Sequence, residues 1–353
     1  MINRGLQVKI NTFLKFIKIS HYYLLQHDPK ACYNTVEVEF MKLNVIIPCM
    51  NEEENVIPLY EKLVEALDEI DFKLIFINDG STDKTTLKLK EIWEHDKKRV
   101  GIINFSRNFG KDAAIYAGLL HTDADYSVII DGDLQQNPKY LINMMNHLDK
   151  HEDIDIVAMV NSKRKENFIV KFLKWGFYTF INMISDIRFA KGVSDFRMFR
   201  RNVVEAICQL SENNRFSKGI FSWIGFNTHL MEYKVEDRVS GRSKFSFIGQ
   251  WKYAFNGIIN FSVKPLRLAT FFGLLSAVAA LIYFIVIIVQ TLVHGTDVPG
   301  YPSLLCAILF LGGLQLIAIG TLGEYMSKTY LESKKRPVYI AKSKFGFKDD
   351  DIL

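Results

Sequence analysis

Short apolar runs alternate with polar loops and helix-period segments through the first half of the chain. Leu43-Asn-Val-Ile-Ile-Pro48 is β-rich and gives way to Cys49-Met-Asn-Glu-Glu-Glu-Asn55, then to apolar positions of helical period from Val56 to Leu67. Phe72-Lys-Leu-Ile-Phe-Ile77 repeats the device: it ends in Asn78-Asp79-Gly80, and Ser81 or Thr82 is expected to cap a helix through Trp93. Val100 to Phe105 makes a third strand, Ser106-Arg-Asn-Phe-Gly-Lys111 its loop, and Asp112 to Leu120 a helix. A fourth run, Tyr126 to Ile130, stops abruptly at Asp131-Gly-Asp133. Strands this uniformly apolar are covered on both faces. Four consecutive β-loop-α units therefore predict an α/β domain, a doubly wound, mostly parallel sheet with its loops gathered along one edge.

The second half is less regular until the end. Asp153 to Val160 reads as another strand, and Phe168 to Ile187 interleaves aromatic and basic residues, either a core helix with snorkelling lysines or a helix in a membrane-water interface. A helix near Asn202 to Leu210, a strand-like run from Leu230 to Val235 and a basic loop, Ser240-Gly-Arg-Ser-Lys-Phe245, follow. Leu268 to Val293 and Ser303 to Leu322 are then almost unbroken apolar runs without a charge, each long enough for a hydrocarbon core of roughly 30 Å. The loop between them lacks Lys and Arg, whereas Lys264, Arg267, Lys328, Lys334, Lys335 and Arg336 flank the outer ends. By the positive-inside rule the α/β domain and both termini are cytoplasmic, and the protein is a multi-pass protein of the inner or plasma membrane.

The expected organisation is a leader (1–41), a catalytic domain (42–240), an interfacial juxtamembrane segment (241–265), two transmembrane helices (266–293 and 303–324) and a basic cytoplasmic tail (325–353). Met1 to Phe40 lacks the continuous apolar core and cleavage site of a signal peptide. It reads as an interfacial helix or as a segment outside the mature fold, with Met41 as an alternative start.

Composition narrows the chemistry. With 353 residues, 49% of them hydrophobic, the chain can bury one large or two modest cores. A formal charge of +5 is too small to argue for nucleic acid. The four cysteines lie far apart and read as packing residues of a reducing compartment; the eight histidines show no paired spacing and none is assigned to a metal.

The polar residues of interest collect at the predicted sheet edge: Pro48, Glu52, Asp79, Arg107, Lys111, Asp131 and Asp133. Singly, Asn51, Glu52 and Glu53 could be a solvated helix start and Asp79 a cap. Jointly they form a binding edge, because open α/β sheets take ligands beyond the carboxyl ends of their strands. Alternate residues on an extended backbone point the same way, so Asp131 and Asp133 can face one point and suit Mg²⁺ or Mn²⁺ bound to a diphosphate. No Gly-x-Gly-x-x-Gly or P-loop is present, which removes support for dinucleotide oxidoreduction and ATP hydrolysis. A cytosolic diphosphate site joined to a membrane anchor calls for a soluble activated donor and a lipid-borne acceptor. Transfer of a sugar from a nucleoside diphosphate to a polyprenyl phosphate is the simplest such reaction. A phosphate monoester is largely dianionic at pH 7, so it needs cations more than a general base. Arg164, Lys171, Arg197, Arg200, Arg242 and Lys244 are the candidates, while Asp195 is a candidate to orient the nucleophile or accept a proton, or else half of a buried ion pair.

The chain resembles family 2 glycosyltransferases of the GT-A fold, in the group of bactoprenol glucosyltransferases and dolichol-phosphate mannosyltransferases. The resemblance runs from about Lys42 to Lys344 and rests on Ile46-Ile-Pro-Cys-Met-Asn-Glu-Glu53, Asn78-Asp-Gly-Ser81, Ser106-Arg-Asn-Phe-Gly-Lys111, Asp131-Gly-Asp-Leu-Gln135, Asp195-Phe-Arg197, Gly241-Arg-Ser-Lys244 and Ser262-Val-Lys-Pro-Leu-Arg267. It implies a Rossmann-like catalytic domain and an inverting, metal-dependent hexosyl transfer in which Asp133 and Asp195 are the catalytic carboxylates. It implies that Pro48, Glu52 and Asp79 meet the base and ribose, with Asn51, Arg107, Lys111 and Asp131 completing the donor site. Asp131, Asp133 and Gln135 would hold the metal, and Arg164 with the later basic residues the lipid phosphate. The nucleotide implied is uridine or guanosine, with uridine expected here, UDP-glucose or UDP-N-acetylglucosamine as donor and undecaprenyl phosphate as acceptor. Two spans match the bactoprenol branch, whose members can form homotetramers; the leader has no counterpart. A processive polysaccharide synthase would carry a Gln-x-x-Arg-Trp motif and several more spans, which this sequence lacks. A non-catalytic membrane receptor for a sugar nucleotide would need no acceptor cluster.

Overall fold

The computed structural model describes residues 43–161, 192–235, 259–294 and 300–347. The leader, the run from Phe168 to Ile187 and the loop from Ser240 to Phe245 lie outside the described residues.

The elements in chain order are β1 (Leu43–Cys49), α1 (Val56–Ala66), β2 (Phe72–Asn78), α2 (Thr85–His95), β3 (Val100–Phe105), α3 (Lys111–Leu119), β4 (Tyr126–Ile129) and α4 (Lys139–Lys150). They continue with β5 (Ile156–Asn161), β6 (Val193–Arg200), α5 (Arg201–Cys208), α6 (Ser217–Trp223), β7 (Thr228–Tyr233), α7 (Lys264–His294), α8 (Tyr301–Ser333) and β8 (Ala341–Phe345). One eight-stranded sheet has the order β7-β5-β6-β4-β1-β2-β3-β8. β1 to β4 pair in parallel, as does β5 with β7, whereas β6 runs antiparallel to both β4 and β5, and β8 antiparallel to β3.

The apolar runs arise from burial on both faces. Leu43, Val45, Ile47 and Cys49 of β1 pack with α1, α2 and α4 on one side, and Ile46 packs with α3, α5 and α6 on the other. Side chains such as Leu59 and Leu63 of α1 are fully buried, each contributing roughly 1.5–3 kcal/mol. The α2 start differs from expectation: the helix begins at Thr85, whose N–H donates to Asp83 Oδ1 at 3.0 Å. Ser81 and Thr82 are instead laced to Asn51, which donates its N–H to Ser81 Oγ and accepts the Thr82 N–H.

Two strands were not expected. β6, noticed in the sequence only for its charges, inserts between β4 and β5. β8 arises from the segment read as a basic tail, covering the outer edge of β3 with Asn104 Nδ2 donating to Ser343 Oγ at 3.1 Å. Asn104 in turn accepts from Asn78 Nδ2 at 2.9 Å, so the buried amides beneath the loops are partnered.

The histidines also differ from expectation. His147 and His151 are one helical turn apart, and His147 stacks on His229 of β7 with centroids 4.0 Å apart. Among the described residues no group of three or more His, Cys, Asp or Glu forms a metal-binding cluster.

α7 and α8 are each long and apolar enough to cross a membrane. At 31 and 33 residues they measure about 46 and 50 Å. Leu274, Leu281, Phe284, Leu309, Phe310 and Leu316 are all more than half exposed, an arrangement suited to lipid and costly in water. α8 continues beyond the apolar run to Ser333, and its polar end bonds to the α/β domain. Glu332 Oε1 accepts the N–H groups of Asn213 and Asn214 at 2.9 and 3.0 Å, and the Tyr325 hydroxyl donates to the Ser262 carbonyl at 2.6 Å.

Candidate active site

The C-terminal ends of β1 to β4 bring their loops to one edge, and antiparallel β6 enters that edge with its N-terminal end. Ile129 of β4 lies opposite Arg197 of β6. Continuing that register by two residues sets Asp131 opposite Asp195. Lys111, the first residue of α3, closes the gap: its Nζ lies 2.6 Å from Asp131 Oδ1 and 2.8 Å from Asp195 Oδ2. The Lys111 side chain keeps 42% of its surface, but its ammonium sits between the two carboxylates. Burial alone would lower the Lys111 pKa; Asp131 and Asp195 outweigh it and hold the ammonium well above the usual lysine range. Burial would likewise raise Asp195, yet Lys111 and then Lys218 pull it well below the usual carboxylate range. Asp195 is therefore a fixed anion.

Asp131 has a second clamp. The Gln136 side chain accepts the Asp131 N–H and donates to Asp131 Oδ2, both at 2.9 Å. The chain returns to make these bonds through Leu134, which adopts φ +61°. Gln135, the residue expected here, donates its backbone N–H to Asp133 Oδ1 at 3.3 Å. The buried Gln136 was missed because nothing in the pattern separates two adjacent glutamines. Asp133 follows Asp131 after Gly132, where an added Cβ would lie 3.4 Å from both Cys49 Sγ and the Pro48 carbonyl. Pro48 and Glu52 thus flank the carboxylate pair, with Glu52 Cγ 3.6 Å from the same point.

Asp79, expected to meet the nucleotide, is engaged by the loop that follows β3. It is 4% exposed, and its two oxygens accept the N–H groups of Phe109 and Gly110 at 2.6 and 3.0 Å. Burial raises its pKa against the pull of those two bonds. The side chain braces the loop that delivers Lys111. Gly80 completes the brace: it has φ +67°, and an added Cβ would lie 2.6 Å from Asn108 N, so the two loops meet where no side chain fits. Arg107 is exposed on that loop, its guanidinium 4.0 Å from the Phe109 ring centroid and bonded to the Asn108 carbonyl. Asn51 sits at the same edge with φ +55°, its amide oxygen engaged by Thr82.

Arg200 does not join this edge. It pairs with Tyr126 at the opposite end of β4, five residues and about 16 Å of strand from Asp131. Its guanidinium donates to the carbonyls of Ile154, Leu148 and His151. It ties strands to α4, away from the carboxylate edge. Arg197 is near the edge but 6% exposed, with Nε on the Ser194 carbonyl and its guanidinium 5.0 Å from the Phe221 ring centroid. Arg164, Lys171, Arg242 and Lys244 lie outside the described residues.

Two contributors went unassigned in the sequence. Asp112 accepts the Ser217 N–H at 2.9 Å, docking α6 beside α3, and Lys218 Nζ then stands 4.0 Å from Asp195 Oδ1. Nothing in the run Phe216-Ser-Lys-Gly219 marks it as part of a site; only the fold brings it to a carboxylate.

Comparison with known proteins places the chain in a family. Residues 44–208 match the model of glycosyl transferase family 2, and residues 264–329 that of the GtrB C-terminal hairpin. The chain is 40% identical over 305 residues to a prophage bactoprenol glucosyl transferase homolog of Escherichia coli (strain K12), covering 86% of this chain and 99% of the relative. It is 40% identical over 307 residues to the bactoprenol glucosyl transferase of Shigella phage SfX, covering 86% and 100%. A distant similarity extends to the crystal structure of glucosyl-3-phosphoglycerate synthase from Mycobacterium tuberculosis in complex with Mn²⁺, uridine-diphosphate and phosphoglyceric acid, with a TM-score of 0.44, 16% identity, and coverage of 62% of this chain and 76% of that one. The chain belongs to glycosyltransferase family 2, with a GT-A-like α/β domain followed by the GtrB-type C-terminal hairpin.

Proposed function

We propose that this glycosyltransferase moves a sugar from a nucleoside diphosphate to a polyprenyl phosphate at the cytoplasmic face of a membrane, with UDP-glucose or UDP-N-acetylglucosamine as donor. What carries the reading is the connection between two features. The Asp131–Lys111–Asp195 cluster holds α6 through Asp112, and the segment leading into α6 is bonded to the root of a membrane-length hairpin through Glu332. A polar, cation-bearing site tied to a lipid-facing element suits a soluble donor and a lipid-borne acceptor. Relatives named for bactoprenol support the same acceptor class.

The carboxylate pair fits a divalent cation, Mg²⁺ or Mn²⁺. Asp131 is kept in place by Lys111 and Gln136, and Asp133 follows one glycine later. No third acidic, His or Cys side chain joins them as a metal-binding group among the described residues. That donor set suits a cation which completes its shell with water and diphosphate oxygens. Asp133 and Asp131 would hold it, with Gln135 beside them. When bound, such a cation supplies neutralisation of the charge growing on the departing diphosphate.

The protein's own residues do the rest. Pro48 and Glu52 border the donor side next to Gly132, and Asp79 holds the loop that presents Lys111. Asp195, held as an anion between Lys111 and Lys218, suits a role in orienting the acceptor. The acceptor phosphate is already anionic at neutral pH. One of its oxygens bonds to the anomeric carbon as the bond from that carbon to the diphosphate oxygen breaks, inverting the centre. The cytoplasmic side is assigned from the Lys and Arg flanking the hairpin.

The test is to incubate membranes containing the protein with a panel of radiolabelled sugar nucleotides, undecaprenyl phosphate and Mn²⁺, then extract with organic solvent. The expected result is lipid-linked label from one donor. Absence of label in the organic phase with every donor contradicts the proposal.

A further inference from the structure

We propose that Lys218 is a contact for the acceptor's phosphate, entering the site from the side of the hairpin root while Lys111 serves the donor side. The inference rests on the reading of the chain as a polyprenyl-phosphate glycosyltransferase. Two lysines face the two oxygens of Asp195. Lys111 takes Oδ2 at 2.8 Å and is also bound to Asp131 at 2.6 Å, so its ammonium is committed to the carboxylate cluster at the end of β4. Lys218 stands 4.0 Å from Oδ1, beyond hydrogen-bond distance, with 35% of its side chain exposed. A small rotation of its four-carbon stem brings the ammonium onto an incoming phosphate oxygen without unseating Lys111.

The supports of α6 decide which substrate Lys218 faces. On one side, the Ser217 N–H is anchored to Asp112, the neighbour of Lys111. On the other, Gly219 lies against Phe261 and Phe216, where an added Cβ would come within 2.8 Å of Phe261 Cδ2. Phe261 belongs to the stretch that leads into α7. Asn214, just before α6, exchanges side-chain and backbone bonds with Asn260. Asn213 and Asn214 also donate their N–H groups to Glu332, near the end of α8. Lys218 is thus carried by the element that the hairpin root grips, whereas Lys111 is carried by the sheet-edge loop. A lipid phosphate arriving along the hairpin meets Lys218 first. Lys111 is engaged by Asp131 and Asp195, so a dianionic phosphate nearing Asp195 from the hairpin side is best met by a further cation, which Lys218 supplies.

The experiment uses the full chain in detergent micelles, comparing wild type with Lys218→Ala and Lys218→Arg. Initial rates are measured with undecaprenyl phosphate varied at saturating donor, and with donor varied at saturating acceptor. Lys218→Ala raises the acceptor KM by at least about tenfold, the effect of losing one charge-assisted hydrogen bond, and leaves the donor KM within about twofold. Lys218→Arg restores most of the acceptor affinity. Inorganic phosphate competes with the acceptor in wild type and more weakly in Lys218→Ala. A rise confined to the donor KM would assign Lys218 to the diphosphate and overturn the inference. So would wild-type acceptor KM in Lys218→Ala while the wild type forms lipid-linked sugar, an outcome that leaves the reaction itself standing. A wild type that makes no lipid-linked product with any donor overturns both.

Discussion

Replacing Lys111 by Met removes the ammonium while nearly preserving the stem. Two bonds disappear, at 2.6 Å to Asp131 and 2.8 Å to Asp195. A hydrogen bond to a charged group is worth about 1.5–3 kcal/mol. The lysine side chain is 42% exposed and Asp131 27% exposed, so solvent screening places each bond at the low end. Together they amount to about 3 kcal/mol. If that energy holds the carboxylates in their reactive arrangement, the loss is about a hundredfold in rate, at about 1.4 kcal/mol per factor of ten. The variant also leaves two carboxylates facing each other, so the melting temperature falls by several degrees. The assay is the initial rate of label transfer into the organic phase, with thermal unfolding followed by tryptophan fluorescence on the same preparation. Adding Asp195→Asn to Lys111→Met costs less than Asp195→Asn in wild type, because the two side chains share one interaction. A folded Lys111→Met protein with more than a third of wild-type activity would refute the reasoning.

Two other predictions concern the scaffold. Glu332→Ala strips the acceptor from the Asn213 and Asn214 N–H groups, a cost of about 1–3 kcal/mol for leaving them unmade. It is expected to lower lipid-acceptor turnover about tenfold, while Glu332→Gln, which keeps a carbonyl oxygen, stays within about threefold; equal rates in all three proteins would show that this bond does not position α6. The second concerns pH. Burial, then His229 and His151, holds His147 below the usual imidazole range, with Lys150 adding to that effect and Asp153 opposing it. The unfolded chain therefore takes the proton first as pH falls, so this contribution to stability is complete above about pH 6.5 and lost as pH falls through the lower folded-state value. Unfolding midpoints recorded from pH 8 to 5 should show that decline, and His147→Phe should flatten it; an unchanged slope in the variant would contradict it.

Legibility in the sequence followed burial. β1 to β4 were visible because strands covered on both faces write continuous apolar runs, and Asp131 and Asp133 stood out because they interrupt one. β6 was hidden because it carries Asp195 and Arg197 inside the strand and pairs with a strand more than sixty residues earlier in the chain. β8 was hidden because Ala-Lys-Ser-Lys-Phe has the polar, lysine-bearing composition of a protected sheet edge, which resembles a charged tail. Asp79 and Arg200 have the residue types a substrate site needs, yet the fold spends their charges on backbone groups. Residue type and loop position do not reveal that expenditure; only the partners do. Gln136 and Lys218 were the converse, ordinary in the sequence and set beside the carboxylates Asp131 and Asp195 by the fold. For Lys218 the reason is distance along the chain: Asp112, which docks its helix, lies 105 residues before Ser217.

The central claim is that the Asp131–Asp133 edge holds a metal-bound nucleoside diphosphate. Electron paramagnetic resonance of Mn²⁺ titrated into the full-length protein with UDP tests it without relying on turnover. The account predicts loss of the free Mn²⁺ signal in proportion to protein when UDP is present, and recovery of that signal in Asp133→Asn with the fold intact. A free-ion signal unaffected by wild-type protein and UDP, or quenched equally by Asp133→Asn, would contradict it.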